Sequence, residues 1–252
     1  SGLNLDISEA IDMSFSYTTP LGPGSNYFDS ELNFSRKSIY SFGLGWHINP
    51  KIVIEGKITN SFGSSPSTGL LTIPSDNKPL YSANIIYKPS EKDTILKPLN
   101  ARDKLISYGG ITSSNALIPK SGTSQYSVNY DSKGNWFGFY GYSLSNIFQI
   151  ELLNIGSFRD VNLVSDKNKA LSNNYLNDNN LNYRLGGKLL ILSPQKDDPL
   201  WLALRTSLGR NQYPNRQGYM FSEIINTIRL SDWMALNISP KYFFSGVKSF
   251  GG

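Results

Sequence analysis

Apolar and polar residues alternate with a two-residue period in several long stretches of this 252-residue chain. Because successive side chains of a β-strand point to opposite faces, such a stretch forms a strand with one apolar and one polar face. The pattern therefore predicts an all-β fold built from long two-faced strands. In the first stretch the apolar positions are Leu3, Leu5, Ile7, Ile11, Met13, Phe15 and Tyr17.

The same alternation returns along the chain, and clusters of Gly, Pro, Asn, Asp or Ser separate the stretches. In one of them Tyr40, Phe42 and Leu44 alternate with serine and glycine, and Trp46 and Ile48 continue the apolar track. Such boundaries predict strand ends. The predicted strands are 3–17, 31–48, 51–62, 80–88, 104–112, 124–131, 136–143, 147–156, 181–192, 200–209, 219–230 and 233–245.

The composition excludes a bundle of membrane helices. A membrane-spanning helix needs about 20 consecutive apolar residues, whereas the apolar runs here, such as 189–192 before Ser193-Pro194, are far shorter. Mean hydropathy is −0.30, and the chain has no cysteine, which rules out disulfides and thiolate metal sites. These values leave two architectures, a membrane β-barrel and a soluble β fold.

The connections between the predicted strands are of two lengths, and we see no domain boundary. The chain is therefore predicted to be a single β-barrel domain, 1–252. Short turns on one side and long loops on the other are typical of barrels that span outer membranes. The long loops are predicted near 18–30, 63–79, 113–123, 157–180 and 210–218.

Many aromatic residues stand near the predicted strand ends. Amphipathic rings prefer the level of lipid head groups, where they form girdles around membrane barrels. Trp201 is an exception, since its position in the alternation points inward. The girdle candidates are Tyr17, Trp46, Tyr130, Trp136, Tyr142, Trp233 and Tyr242.

Charged residues fall mostly on the track opposite the apolar one. In a soluble sandwich this track is the solvated face, whereas in a barrel it lines the lumen. Basic residues are in slight excess over 181–209. The lumen-lining candidates are Asp6, Asp12, Glu55, Lys57, Glu151, Arg184, Lys188, Arg205, Glu223 and Arg229.

The alternation, the aromatic residues at strand ends and the unequal loops together resemble bacterial outer-membrane β-barrel proteins as a broad class. The resemblance implies an antiparallel transmembrane β-barrel of about 12 strands in the outer membrane of a Gram-negative-type bacterium. No motif ties the chain to one family, so the resemblance assigns no residue a role. The N-terminus begins almost inside a strand and the C-terminus lacks a terminal aromatic residue, which predicts a processed or incomplete chain.

The sequence offers little for catalysis. Its single histidine, His47, has no nucleophile motif around it, and we interpret it as a hydrogen-bonded histidine of the lumen. We predict no enzymatic activity, no cofactor and no metal centre, with calcium at carboxylates of the Asn-rich loop as a weaker alternative. The net charge of +5 comes without a basic run, so we predict no nucleic-acid partner.

These features favour a porin-like channel for passive diffusion of small polar or anionic solutes, with the lipid bilayer as its main partner and an undetermined oligomeric state. Two alternatives stay open: a soluble β-sandwich or propeller that binds carbohydrate or protein, and a non-conducting structural or adhesive barrel. A barrel and a soluble fold are distinguished by the side chains of Tyr40, Phe42, Leu44, Trp46 and Ile48. They face outward in a barrel and are buried in a soluble fold.

Overall fold

The computed structural model describes residues 1–21, 26–28, 34–61, 73, 78–89, 113–132, 134–157, 182–193, 199–210, 218–245 and 249–251. These residues form strands and turns, and none of them belongs to a helix with the length and hydropathy needed to cross a bilayer. The strands are β1 (Gly2–Asp6), β2 (Ile11–Thr18), β3 (Tyr27–Phe28), β4 (Phe34–Ser35), β5 (Ile39–Asn49), β6 (Ile52–Thr59), β7 (Leu80–Tyr87), β8 (Ser124–Asp131), β9 (Asn135–Ser145), β10 (Phe148–Ser157), β11 (Asn182–Leu192), β12 (Leu200–Arg210), β13 (Gly218–Ser231), β14 (Met234–Ile238), β15 (Lys241–Ser245) and β16 (Ser249–Gly251).

Twelve antiparallel strands close into a barrel, as the sequence predicts. The ring runs β1-β2-β5-β6-β7-β8-β9-β10-β11-β12-β13-β14, and pairing of β14 with β1 closes it. β14 and β15 lie end to end against β13, and β16 pairs with β15 as an additional strand. β3 and β4 form a separate hairpin. Closure leaves the ring without the unpaired edge that an open sheet would have.

The two ends of the barrel differ in their connections. One end, which we call the turn end, carries the short connections 7–10, 50–51, 146–147, 193–199 and 232–233. The other, the loop end, carries 19–38, 60–79, 132–134, 158–181 and 211–217. Two connections depart from this pattern: 88–123 is long and yet belongs to the turn end, and 132–134 is short and yet belongs to the loop end.

The stretch 3–17, predicted as one strand, is a hairpin of β1 and β2, so that prediction is wrong. The Ser8 hydroxyl oxygen accepts hydrogen bonds from the N–H groups of Ala10 and Ile11 and holds a tight turn. Leu5 is then opposite Met13 on the neighbouring strand. The alternation hides the turn because the turn leaves the apolar residues on the same face of the sheet.

Other predicted boundaries also change. The stretch 233–245 is interrupted at Pro240, which has no N–H group to donate to a neighbouring strand. The stretch 31–48 begins its barrel strand only at Ile39. Several predictions fall outside the described residues: the strand 104–112, most of the long loops, and the calcium-binding carboxylates of the Asn-rich loop.

The predicted strands 80–88, 124–131, 147–156, 181–192 and 200–209 agree with β7, β8, β10, β11 and β12 to within one residue at each end. The number of barrel strands is also right, although the prediction counted 3–17 as one strand.

We predict that Gly186→Ala weakens the barrel. Gly186 faces inward on β11, and a Cβ there would collide with the backbone of Thr206 and Ser207 on β12. Overpacking of this kind costs about 1–3 kcal/mol of unfolding free energy. Denaturant unfolding of the purified protein in detergent measures the loss.

Gly56→Ala is the matched control, because nothing lies within 4 Å of a Cβ built on this outward-facing strand residue. Its unfolding free energy should stay within about 0.5 kcal/mol of the wild type. Equal losses in both variants would contradict the close approach of β11 and β12.

Candidate functional site

Large apolar side chains cover the outside of the barrel. On β5 the outward residues Tyr40, Phe42, Leu44, Trp46 and Ile48 are 51, 42, 47, 55 and 46% exposed, which is the arrangement predicted for a barrel. The alternate residues of the same strand, Ser41, Gly43 and Gly45, are buried. The same two-faced pattern holds on the other long strands, where Leu185, Leu208 and Val128 are among the most exposed side chains.

Many aromatic rings on this outer surface lie toward one end of the barrel or the other, while Phe15 and Phe42 lie between the ends. At the loop end Tyr17 is opposite Tyr40 and Tyr130 is opposite Trp136. At the turn end Tyr87, Tyr126 and Tyr140 form a row across three strands, with ring centroids 6.5 and 4.9 Å apart. Of the girdle candidates, the loop end holds Tyr17, Tyr130, Trp136 and Tyr242, and the turn end holds Trp46, Tyr142 and Trp233.

The interior of the barrel is mainly polar. Among the described residues, buried polar and charged side chains outnumber buried apolar ones. Asn129 and Glu223, on β8 and β13, have no exposed surface at all. Buried groups of this type need hydrogen-bond or ionic partners, so the interior depends on a network of polar contacts.

The centre of this network is a charged cluster around Arg205. Its guanidinium Nε lies 2.9 Å from Glu151 on β10, and its Nη1 lies 2.9 Å from Glu223 on β13. Lys241 on β15 lies 3.8 Å from the other oxygen of Glu223. Lys188, Arg205, Glu223 and Lys241 are opposite one another in the strand register and form one lateral row across the inner wall. Glu151 lies one inward position nearer the loop end, opposite Gly186. One guanidinium that binds two carboxylates balances charges that would otherwise be buried without a counterion.

Residues 113–119, which we call the inner segment, lie inside the barrel. The side chains of 113–118 are at most 7% exposed. Ser113 donates a hydrogen bond to Asn4, and Ser114 donates one to Glu223. The stretch 113–123 was predicted as one of the long loops; the structure instead places its first part against the inner wall.

The inner wall also binds the backbone of this segment. The N–H of Ala116 donates to Thr227 Oγ1 at 2.8 Å. Lys188 Nζ donates to the carbonyl oxygens of Asn115 and Leu117, at 3.2 and 2.6 Å. The partners therefore come from β11 and β13, and the segment narrows the interior along this side of the barrel.

Leu117 and Ile118 pack into an apolar cluster on the same wall. Trp201 belongs to this cluster and faces inward, as its position in the alternation predicts. Burial of these side chains contributes to holding the segment against the wall. The remaining members are Ala116, Leu190, Ala203, Ile225 and Ala235.

Near the turn end, His47 Nε2 lies 2.6 Å from Asp12 Oδ2. The carboxylate of Asp12 also fills the space beside Gly45. A Cβ added to Gly45 would lie 2.6 Å from an oxygen of that carboxylate. Asp6 is opposite Asp12 in the register of β1 and β2. Among the described residues no group of three or more His, Asp or Glu side chains could hold a metal ion.

All ten lumen-lining candidates occupy inward-facing positions of their strands. The structure brings Glu151, Arg205 and Glu223 into direct contact. Asp6, Asp12 and Arg229 lie instead at the turn end of their strands. The remaining four are Glu55 and Lys57 on β6 and Arg184 and Lys188 on β11, all buried.

Sequence reasoning missed Thr227, Lys241 and the inner segment. Thr227 and Lys241 continue the inward track of their strands, so their positions in the apolar–polar alternation could have identified them. The inner segment has no period, and its one signal is the apolar pair Leu117-Ile118 within a polar stretch. Comparisons with protein-family models, curated proteins and solved structures found no match for this chain.

We predict that Arg205→Met lowers the unfolding free energy by about 3–5 kcal/mol, because it leaves the buried carboxylate of Glu151 without its cation. Denaturant unfolding in detergent measures the loss. The double variant Arg205→Met/Glu151→Gln should recover much of it, since Glu223 keeps Ser114 and Lys241 as neighbours. If both variants lose the same stability, the charge of Glu151 is not the cause.

Proposed function

We propose that this protein spans a bacterial outer membrane and acts as a narrow channel for small polar or anionic solutes. The observation that carries the proposal is the reversed distribution of side chains. Leu44 and Leu185 on the outer surface are 47 and 58% exposed, while Glu223 in the interior is fully buried. A protein folded in water exposes charges and buries leucines, so the arrangement fits a lipid environment.

A closed barrel suits this environment because lipid offers no hydrogen-bond partners to the backbone. In the ring every strand is paired on both sides, which satisfies N–H and C=O groups within the protein. Most barrel strands have 8 to 11 residues, close to the 9–11 that cross a bilayer when tilted. The aromatic rings near the two barrel ends fit the two head-group regions of a membrane.

The residues of the inner wall are the reason for proposing polar or anionic solutes. Inward positions on β11 and β12 carry Arg184, Lys188 and Arg205. Arg205 is balanced by two carboxylates, which limits the preference for anions. The inner segment narrows the path, so passage is expected to be restricted to small solutes. We assign the protein no reaction, since among the described residues the His47 ring bonds only Asp12.

A second candidate is a non-conducting structural or surface barrel in the same membrane. The observation that favours it is burial on both sides of the interior: Asn84 and Asn129 on β7 and β8 are 1 and 0% exposed, like Glu223 on the opposite wall. A wide water-filled pore would leave such side chains accessible. Conductance distinguishes this candidate from the channel.

We predict that Leu44→Arg destabilises the protein by about 2–4 kcal/mol in lipid vesicles, because it places a charge in the middle of the apolar band. Glu9→Arg, in the exposed turn between β1 and β2, is the matched control and should have little effect. Unfolding in phospholipid vesicles measures both. In a protein that folds in water, an exposed Leu44→Arg would change stability by no more than about 0.5 kcal/mol, and that result would contradict the membrane proposal.

We predict that a disulfide between the inner segment and the wall lowers conductance. The chain has no cysteine, so Asn4→Cys/Ser113→Cys can form a single disulfide, between two positions whose native side chains hydrogen-bond at 2.8 Å. Single-channel recording in planar bilayers should give a lower conductance for the oxidised double variant than for the reduced one. The single variants should not respond to reductant.

Equal conductance before and after reduction, with the bridge verified on gels, would mean that movement of the inner segment does not control the path. Absence of conductance in every variant and in the wild type would favour the non-conducting barrel.

A further inference from the structure

Lys188 binds two oxygen atoms of the inner segment at once. Its Nζ donates to the carbonyls of Asn115 and Leu117, at 3.2 and 2.6 Å. These carbonyls are two residues apart and converge on one amino group. A carboxylate presents the same feature, a pair of acceptor oxygens close together.

An apolar surface begins directly beside this amino group. Leu190 follows Lys188 on the inward face of β11, and it is opposite Ala203, which is opposite Ile225. The apolar row therefore lies next to the charged row, one step toward the turn end. Leu117 and Ile118 of the inner segment pack against this surface.

We infer that this wall is a binding site for small aliphatic monocarboxylates, which the inner segment occupies in their absence. The two carboxylate oxygens would take the places of the Asn115 and Leu117 carbonyls on Lys188. The alkyl chain would replace the side chains of Leu117 and Ile118 against the apolar surface. The inner segment thus acts as a tethered competitor for the site.

The surrounding charges favour a singly charged anion. Arg205 is already bound by two carboxylates, so it offers little to a ligand. Arg205, Glu151 and Glu223 all interact electrostatically with Lys188, and the two carboxylates disfavour a second negative charge on a ligand, such as that of a phosphate dianion. The proposal rests on the contacts of this wall and does not depend on conduction or on membrane location.

Trp201 provides the readout, because it lies in the apolar cluster that the ligand would enter. The other three tryptophans, Trp46, Trp136 and Trp233, are on the outer surface and can be replaced by phenylalanine. Hexanoate is titrated into this single-tryptophan protein, folded in detergent, while the emission of Trp201 is followed. Hexan-1-ol and hexylamine are the matched probes without a carboxylate.

We expect a saturable change in emission with hexanoate and none with the alcohol or the amine. Lys188→Met should weaken hexanoate binding about tenfold or more, because the amino group is lost. Leu117→Ser/Ile118→Ser should strengthen it about tenfold, because the competing segment loses its apolar contacts. Retained heat-modifiable gel mobility verifies the fold of each variant.

The opposite directions of these two effects test the site even if one variant fails to fold. An equal response to hexanol would mean nonspecific partition and would overturn the proposal. So would unchanged binding in Lys188→Met, or absence of binding when the inner segment is weakened.

Discussion

Closure of the backbone hydrogen-bond ring is the constraint on which the rest of this structure depends. A ring of twelve paired strands satisfies the peptide groups of each strand from its two neighbours, so the outer surface can be apolar without exposing polar backbone. The same closure creates an enclosed interior, where alternate side chains must find partners. The polar interior and the apolar outer surface are therefore two results of one geometry.

The interior meets this demand with charges that are shared among several partners. Arg205 serves two carboxylates, and Glu223 in turn accepts contacts from Arg205, Lys241 and Ser114. The inner segment joins the network through its backbone as well as its side chains, so it is bound to the wall at defined points and does not simply fill space. Removing a partner from such a network costs more than the contact itself contributes, because the remaining group stays buried.

Alternation predicted the fold class, the outward face of β5 and the inward direction of Trp201, because each depends only on which face of a strand a residue occupies.

Alternation gave no guidance for features that do not depend on the face of a strand. The turn at Ser8 preserves the alternation, so the hairpin was not visible. The contacts that hold the inner segment join residues about a hundred positions apart, such as Ser114 and Glu223, and no local pattern encodes such a pairing. Pro240 carries a signal in the sequence, since proline marks strand ends or bulges, but the predicted strand 233–245 ran through it. The structure divides this stretch at Pro240 opposite an unbroken β13.

The strict two-faced character of the strands has a consequence for how such a chain can vary in length. Inserting one residue directly after Tyr40 in β5 would turn Phe42 and Leu44 into the interior and bring Ser41 and Gly43 to the outer surface, and every following residue of the strand would change face. Inserting two residues would restore the faces beyond the insertion. Homologous chains should therefore gain or lose strand residues in pairs, whereas connections at the loop end can change by any number.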